Sequence, residues 1–235
     1  MTLICVTDAC SLIYMKELQL SRRTLHHWLW DEFDVKFSQV LWEEMENNLR
    51  LLNTDRRWFR RNGGRSVYQL PAIDTWERAL FSPPLYRKVE TSRCRRCGQV
   101  GWTKQAFTPD LNEREDRGER HNCCIALAAL ASRRHKQVIF LTDDSRGIRD
   151  YADYVFNTFP LGQIWSSMDF VTYLFLRHRG RILLEEVKGV LRDINLIGVS
   201  NASPEETLKR TRRLADYYSK VDTINTVLSQ CHGGN

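Results

Sequence analysis

Short apolar runs alternate with longer amphipathic stretches along the chain. Residues 3–7 (LICVT) and 137–142 (QVIFLT) are apolar and rich in β-branched types, which is typical of strands buried on both faces. The segment DVKF at 34–37 predicts a further short strand. Because such runs alternate with helical patterns, the sequence predicts an α/β fold with a central parallel sheet covered by helices.

Apolar residues at helical spacing follow the predicted strands. Ser38 is a candidate N-cap for the helix QVLWEEMENNLRLL, and HNCCIALAALASRRH predicts a second strong helix. Other helices are predicted for CSLIYMKEL, for a stretch through Leu25, Trp28 and Leu29, and near 148–153, 164–178, 182–192 and 205–230.

Residues 53–117 interrupt this pattern. They contain NGGR, a Pro-Pro pair, CRRC and the charged run NEREDRGER. We expect an irregular insertion with one or two short elements, such as VYQLPAI. Because long structureless loops are uncommon in compact domains, the insertion is expected to need an organiser such as a metal.

Composition and charge narrow the class of protein. The chain has 235 residues, of which 42% are hydrophobic and 27% charged, so it is neither disordered throughout, nor collagen, nor a coiled-coil rod. No apolar run is long enough for a membrane span, and Asp8 precedes any stretch suited to a signal peptide. We therefore expect a cytoplasmic protein without membrane association. The net charge of +6 favours polyanionic partners.

Carboxylates follow two of the predicted strands. Asp8 ends the first, and Asp143 and Asp144 end the strand 137–142. The carboxyl ends of parallel strands share one edge of a sheet, so these groups are expected to be neighbours there, where oxygen ligands suit Mg²⁺ or Mn²⁺. Each residue also has an ordinary interpretation as a turn, cap or solvated helix residue. Candidates that would complete the cluster are Glu44, on the helix after Ser38, and Glu119 or Asp116, ahead of HNCCIALAALASRRH.

Four segments, in this order, resemble the PIN-domain nucleases, in particular the toxin-like members found in prokaryotes: TDACSLIYM, VKFSQVLWEEM, DRGERHNCCIALAALA and VIFLTDDSRGIRDYA. The resemblance implies a PIN-like three-layer fold over residues 1–195, with a C-terminal helical extension at 196–235. It also implies a Mg²⁺- or Mn²⁺-dependent endoribonuclease of toxin–antitoxin type. The middle stretch and the tail are longer than is usual in that family, and Ser38 stands where many relatives have proline. The residues carried over as catalytic metal ligands are Asp8, Glu44, Glu119 and Asp143, with Asp144 assisting and Asp116 in reserve.

Arginines and aromatic residues are interleaved in the insertion, a pattern suited to phosphates and unpaired bases of single-stranded RNA. The alternative is a solvated face whose aromatic side chains turn inward. The residues are Arg56, Arg57, Arg60, Arg61, Arg65, Arg93, Arg95 and Arg96, with Trp58, Phe59 and Trp102. Thr142 and Ser145 are candidates to hydrogen-bond a carboxylate or a metal-bound water, or are ordinary turn hydroxyls.

Two other function classes stay open. The first is a catalytically inactive PIN-like module that binds RNA or a protein. The second is a structural component of an assembly, docked through the helix 205–230. An antitoxin on the C-terminal helix and a homodimer are further candidate partners.

Cysteine spacing predicts a second kind of metal site. Cys94-x-x-Cys97 is half of a zinc site, and His121 and Cys124 share one helix face at i, i+3. These four residues would form a closed, structural zinc site that pins the insertion to the helix beside Glu119. In the alternative interpretation, Cys94 and Cys97 are free thiols.

Overall fold

The structure is a computed structural model that describes residues 3–48, 53–81, 117–132, 137–144, 151–197 and 202–232. The chain forms two compact units. The sheet unit comprises Met1–Cys10 and Trp30–Ile164, and the helical unit comprises Ser11–Leu29 and Trp165–Asn235. The sequence-predicted boundary between residues 195 and 196 falls inside the helical unit.

Strands and helices alternate along the described residues, and three of the strands are those that the apolar pattern predicts. In chain order they are β1 (Leu3–Thr7), α1 (Ala9–Met15), β2 (Gln19–Leu20), β3 (Arg23–Thr24), α2 (Leu25–Glu32), β4 (Phe33–Lys36), α3 (Gln39–Asn48), α4 (Asn53–Ser66), α5 (Ile73–Leu80), α6 (Arg117–Ala131), β5 (Val138–Leu141), α7 (Asp153–Thr158), β6 (Gly162–Trp165), α8 (Ser167–Arg177), α9 (Leu184–Leu196) and α10 (Pro204–His232).

A four-stranded parallel sheet forms the centre of the sheet unit, in the order β4-β1-β5-β6. β1 pairs in parallel with β4, which places Leu3 opposite Phe33, and with β5, which places Thr7 opposite Leu141. Ile4, Val6 and their neighbours are buried because β1 is an inner strand with helices packed on the sheet. The predicted α/β class with a parallel sheet is confirmed.

The core of the sheet unit lies between the sheet and α6. Small and apolar residues of α6, among them Cys123, Ile125 and Ala126, are fully buried against Ile4 and Phe140. Short side chains on this helix suit close packing against the strands.

One expectation for the insertion is wrong. Residues 53–66 form the 14-residue helix α4, and α5 follows, where an irregular stretch was expected. VYQLPAI, expected to form a short element, contributes an isolated bridge from Val67 to Phe37, and its last residue, Ile73, begins α5. The Gly63-Gly64 pair, which suggested an irregular segment, lies inside α4. Position 63 requires glycine because Trp42 of α3 packs against the helix there, where a Cβ would overlap its ring.

Polar contacts hold the helices of the helical unit together. Ser166 and Asp169 form a capping box at the beginning of α8. The Tyr217 hydroxyl of α10 donates to Asp169 Oδ1 at 2.6 Å, and Lys188 of α9 pairs with Asp222 of α10 at 2.7 Å. Although α10 has 29 residues, neither it nor any other helix in the described ranges is apolar over a length that would cross a bilayer.

We expect alanine substitutions at the two adjacent glycines of α4 to change the free energy of unfolding in opposite directions. A Cβ at Gly63 would overlap the ring of Trp42, which is stacked between Phe37 and Phe59 and has little room to move. We expect Gly63→Ala to lower the free energy of unfolding by about 1–3 kcal/mol. A Cβ at Gly64 meets no atom within 4 Å, so Gly64→Ala should raise the free energy of unfolding by up to about 1 kcal/mol through helix propensity. Urea titrations of both variants measure this, and equal effects would contradict the packing argument.

Candidate metal centre

Asp8 directly follows the carboxyl end of β1, which is an inner strand of the sheet. Its side chain is buried, and its Oδ2 accepts a short hydrogen bond from the Thr142 hydroxyl. Its backbone N–H donates to the carbonyl oxygen of Leu141 at 3.2 Å. The parallel pairing of β1 with β5 produces this geometry, since Thr7 opposite Leu141 brings the next residues of both strands together. The predicted carboxylate contact of Thr142 is confirmed.

The acidic pair after β5 reaches the same edge. Asp143 and Asp144 are half-buried and directly follow Thr142. The backbone N–H of Asp144 donates to the Thr142 Oγ1 at 3.1 Å, so this hydroxyl accepts from the turn while it donates to Asp8. Thr142 therefore holds the ends of β1 and β5 in one hydrogen-bonded arrangement. Ser145 lies outside the described residues.

Asn122 brings the beginning of α6 to this edge. Its side chain is fully buried, and its Nδ2 donates to the carbonyl oxygen of Thr7 at 2.8 Å. Its Oδ1 accepts from the backbone N–H of Ser38 at 3.0 Å. Glu119 lies in the first turn of α6, one turn before Asn122, and is half-buried. One amide thus ties this turn both to the end of β1 and to the residue that precedes α3.

α3 carries Glu44 along the side of this cluster. Ser38 begins the helix as predicted, since its Oγ accepts from the backbone N–H of Leu41 at 3.2 Å. A Cβ at Gly118 would lie 3.8 Å from Leu41, so α3 and α6 approach closely next to Glu119. Glu44, one turn after Leu41, is exposed to solvent.

The electrostatics of Cys10 show that the carboxylates share one region. Desolvation, together with the negative charges of Asp8, Asp144, Glu119 and Glu44 in decreasing order of effect, raises the pKa of this thiol to about 12. A thiolate is disfavoured there mainly because the sulfur is desolvated, and also because four carboxylates act on it. Four of the five residues carried over as catalytic ligands or assisting groups therefore act electrostatically on the Cys10 sulfur. The fifth, Asp143, is the chain neighbour of Asp144.

The predicted zinc ligands are only partly described. Cys94, Cys97 and the reserve carboxylate Asp116 lie outside the described residues. His121 and Cys124 are buried on α6, and His121 lies beside the carboxylates of Asp74 and Glu77. Burial raises the pKa of Cys124 to about 12, with Glu77 adding to the rise and Arg120 opposing it. The Cys124 thiol is therefore protonated at neutral pH in this structure.

Sequence reasoning missed two features of this region. Asn122 was passed over inside a run that was chosen for its apolar residues, although a polar side chain in such a run is itself a signal of a buried hydrogen bond. The α5 carboxylates Asp74 and Glu77 were missed because their segment was expected to be irregular. Their contacts lie more than 40 residues further along the chain.

Comparisons with known proteins name no family for this chain. No family model matches it, and no curated protein or solved structure matches it either. The argument about function therefore rests on the geometry of the sheet edge and on the surface around it.

The Asn122 amide predicts a large loss of stability on truncation. Asn122→Ala leaves the Thr7 carbonyl and the Ser38 N–H buried without this partner, at about 1–3 kcal/mol for each group. We expect the free energy of unfolding to fall by about 2–6 kcal/mol, measured by urea denaturation. Asn157→Ala is a matched control, because that amide bonds Asp153 on the surface. A loss no greater than that of the control would show that the amide does not fix this edge.

Proposed function

We propose that this protein is a metal-dependent endoribonuclease of PIN-like three-layer architecture. Asp8, Glu44, Glu119 and Asp143 would hold one or two Mg²⁺ or Mn²⁺ ions, with Asp144 assisting. The observation that carries the proposal is the joining of Asp8 to the end of β5 through Thr142, with the first turn of α6 tied to the same edge.

The donor set fits a hard divalent cation. Carboxylate oxygens are the ligands that Mg²⁺ and Mn²⁺ prefer, and the set contains a buried carboxylate, half-buried ones and an exposed one. Carboxylates gathered at one edge repel one another, and a bound cation would reduce that repulsion. Bound cations of this kind lower the pKa of water and neutralise charge on a phosphodiester.

The chain's own residues supply position and direction. The Thr142 hydroxyl binds Oδ2 of Asp8 and thereby fixes the plane of that carboxylate. The Asn122 amide fixes Glu119 through the first turn of α6. Exposed Glu44 leaves one side of the edge open to solvent, where a polymeric substrate can enter. Phosphodiester hydrolysis requires mainly such positioning and electrostatic stabilisation from the protein.

An arginine face on α4 supports RNA as the substrate. Arg57, Arg60, Arg61 and Arg65 are exposed on one side of the helix. Phe59 is buried on the opposite side and stacks on Trp42, and half-buried Trp58 meets Trp30 edge to face. Both described aromatic residues thus pack with protein rings, and this helix offers backbone phosphates charge contacts. Arg93, Arg95, Arg96 and Trp102 lie outside the described residues.

The arginine face lies beside the helix that carries Glu44. The Nε of Arg60 lies 3.7 Å from Oε1 of Glu46 on α3. Gly63 of α4 packs against Trp42, which is also on α3. A strand of RNA bound along α4 would therefore run next to the proposed centre. The same face would serve the alternative function, an inactive RNA-binding module, and cleavage assays separate the two.

Cleavage of a mixed RNA pool is expected to require Mn²⁺ or Mg²⁺ and to stop in EDTA. Asp8→Asn and Asp143→Asn should each abolish cleavage, because each removes a proposed ligand, whereas Asp216→Asn on exposed α10 should leave it unchanged. Thr142→Val keeps the side-chain shape and removes the hydroxyl, so it should raise the Mn²⁺ concentration needed for half-maximal rate by about 10–100-fold. Cleavage that persists in EDTA, or full activity in both Asn variants, would refute the proposal. RNA binding without cleavage under any condition would favour the inactive module.

The arginine face predicts a salt-dependent contribution to RNA affinity. Replacing Arg60, Arg61 and Arg65 together with Gln should reduce the slope of log affinity against log salt concentration by about 2, since each phosphate contact to single-stranded RNA contributes about 0.7. Filter binding at several salt concentrations measures the slope. The control replaces Lys209, Arg212 and Arg213 of α10, also exposed, with Gln. Equal losses in both variants would show that net charge, and not this face, determines affinity.

A further inference from the structure

A second set of ligating side chains lies where α5 packs against the beginning of α6. Asp74 and Glu77 stand one turn apart on α5, and His121 faces them from α6. Their nearest ligating atoms all lie within 4.8 Å of one another. The set shares no residue with the carboxylates at the sheet edge.

The imidazole of His121 points to a missing ligand. The residue is 4% exposed, and its Nε2 has no hydrogen-bond partner among the described residues. This nitrogen lies 3.5 Å from Glu77 Oε2 and 3.9 Å from Asp74 Oδ1. A buried polar nitrogen without a hydrogen bond is costly, because it has given up water and gained only longer contacts in return.

Two arginines bind these carboxylates in different ways with respect to His121. Arg120 Nε donates to Glu77 Oε1 at 2.6 Å in a fully buried pair, while Oε2 is the oxygen nearest His121. Arg117 donates to Asp74 Oδ1 at 2.9 Å, but this pair is solvent-accessible. The Arg120 contact thus fixes Glu77, whereas Arg117 and Asp74 have room to rearrange.

We propose that Asp74, Glu77 and His121 form a binding site for a divalent transition metal of the zinc type. One imidazole nitrogen with two carboxylate oxygens suits Zn²⁺ better than Mg²⁺ or Ca²⁺, which prefer oxygen ligands throughout. Ligands 2.0–2.1 Å from a tetrahedral zinc are separated by about 3.3 Å, so the Glu77–His121 pair is already near this spacing. Asp74, whose side chain is 56% exposed, would complete it with a small movement.

Three protein ligands leave a fourth position for water on the exposed side of Asp74. Bound metal would join α5 to the first turn of α6 and so stabilise the folded chain. Arg117 competes with the metal, because its guanidinium occupies the Asp74 oxygen that faces His121. This site differs from the zinc site that the cysteine spacing predicts, with which it has His121 in common.

Zinc titration of the metal-stripped full chain tests the proposal by isothermal calorimetry. Asp74→Asn and His121→Gln should each weaken one zinc site by at least about tenfold, while Cys94→Ser and the surface control Asp193→Asn leave it unchanged. Arg117→Gln should tighten the site, because a competing cation is gone. Since Asp74 is exposed, its Asn variant is expected to fold, and circular dichroism verifies this.

Cobalt substitution provides a second readout. Co²⁺ bound by nitrogen and oxygen gives visible d–d bands without a thiolate-to-metal charge-transfer band, and Asp74→Asn should diminish those bands. Zinc affinity that falls in Cys94→Ser but not in Asp74→Asn would overturn the proposal in favour of the cysteine set. Weaker binding in Arg117→Gln, or no zinc affinity that depends on Asp74 and His121, would also overturn it and leave a cluster of ion pairs. Neither readout depends on nuclease activity, so this site and the proposed function can fail separately.

Discussion

The buried amide of Asn122 is the constraint on which the sheet edge depends. Parallel strands end with backbone groups that the ladder no longer pairs, and burial makes each unpaired group costly. Asn122 satisfies the Thr7 carbonyl and the Ser38 N–H with one side chain, so three chain segments must meet at one place. Asp8 and the beginning of α3 directly adjoin these bonds. The position of the acidic groups follows from a requirement for hydrogen bonds in the interior.

The two groups of carboxylates are balanced in different ways. Arg117 and Arg120 donate directly to Asp74 and Glu77, so positive charge already faces the α5 carboxylates. At the sheet edge, Thr142 contributes a neutral hydroxyl to Asp8, and the acidic groups together raise the pKa of Cys10 beyond the effect of its desolvation. The carboxylates at that edge thus act together on one thiol, and their charge has the sign that a proposed cation site needs.

The sequence predicted those features that local patterns of residues determine. The run 3–7, the Ser38 cap and the meeting of Asp8 with the end of β5 follow from apolar periodicity and from the rule that parallel strands end on one edge. α4 was missed because its glycine pair resembles a turn. The glycine at position 63 is instead required by the packing of Trp42, some 20 residues away in the sequence. The residues that contact His121 depend on how α5 packs on α6. The spacing of residues within one segment does not predict such packing between helices.

The first turn of α6 links the two proposed centres. Glu119 and His121 are two residues apart, which on a helix separates their directions by roughly 200°. One residue therefore lies toward the sheet edge while the other faces α5. The Asn122 amide holds this turn from the strand side, and the buried Arg120–Glu77 pair holds it from the α5 side. Because both attachments act on one turn, a change in how α5 packs would displace Glu119 without any alteration of the sheet.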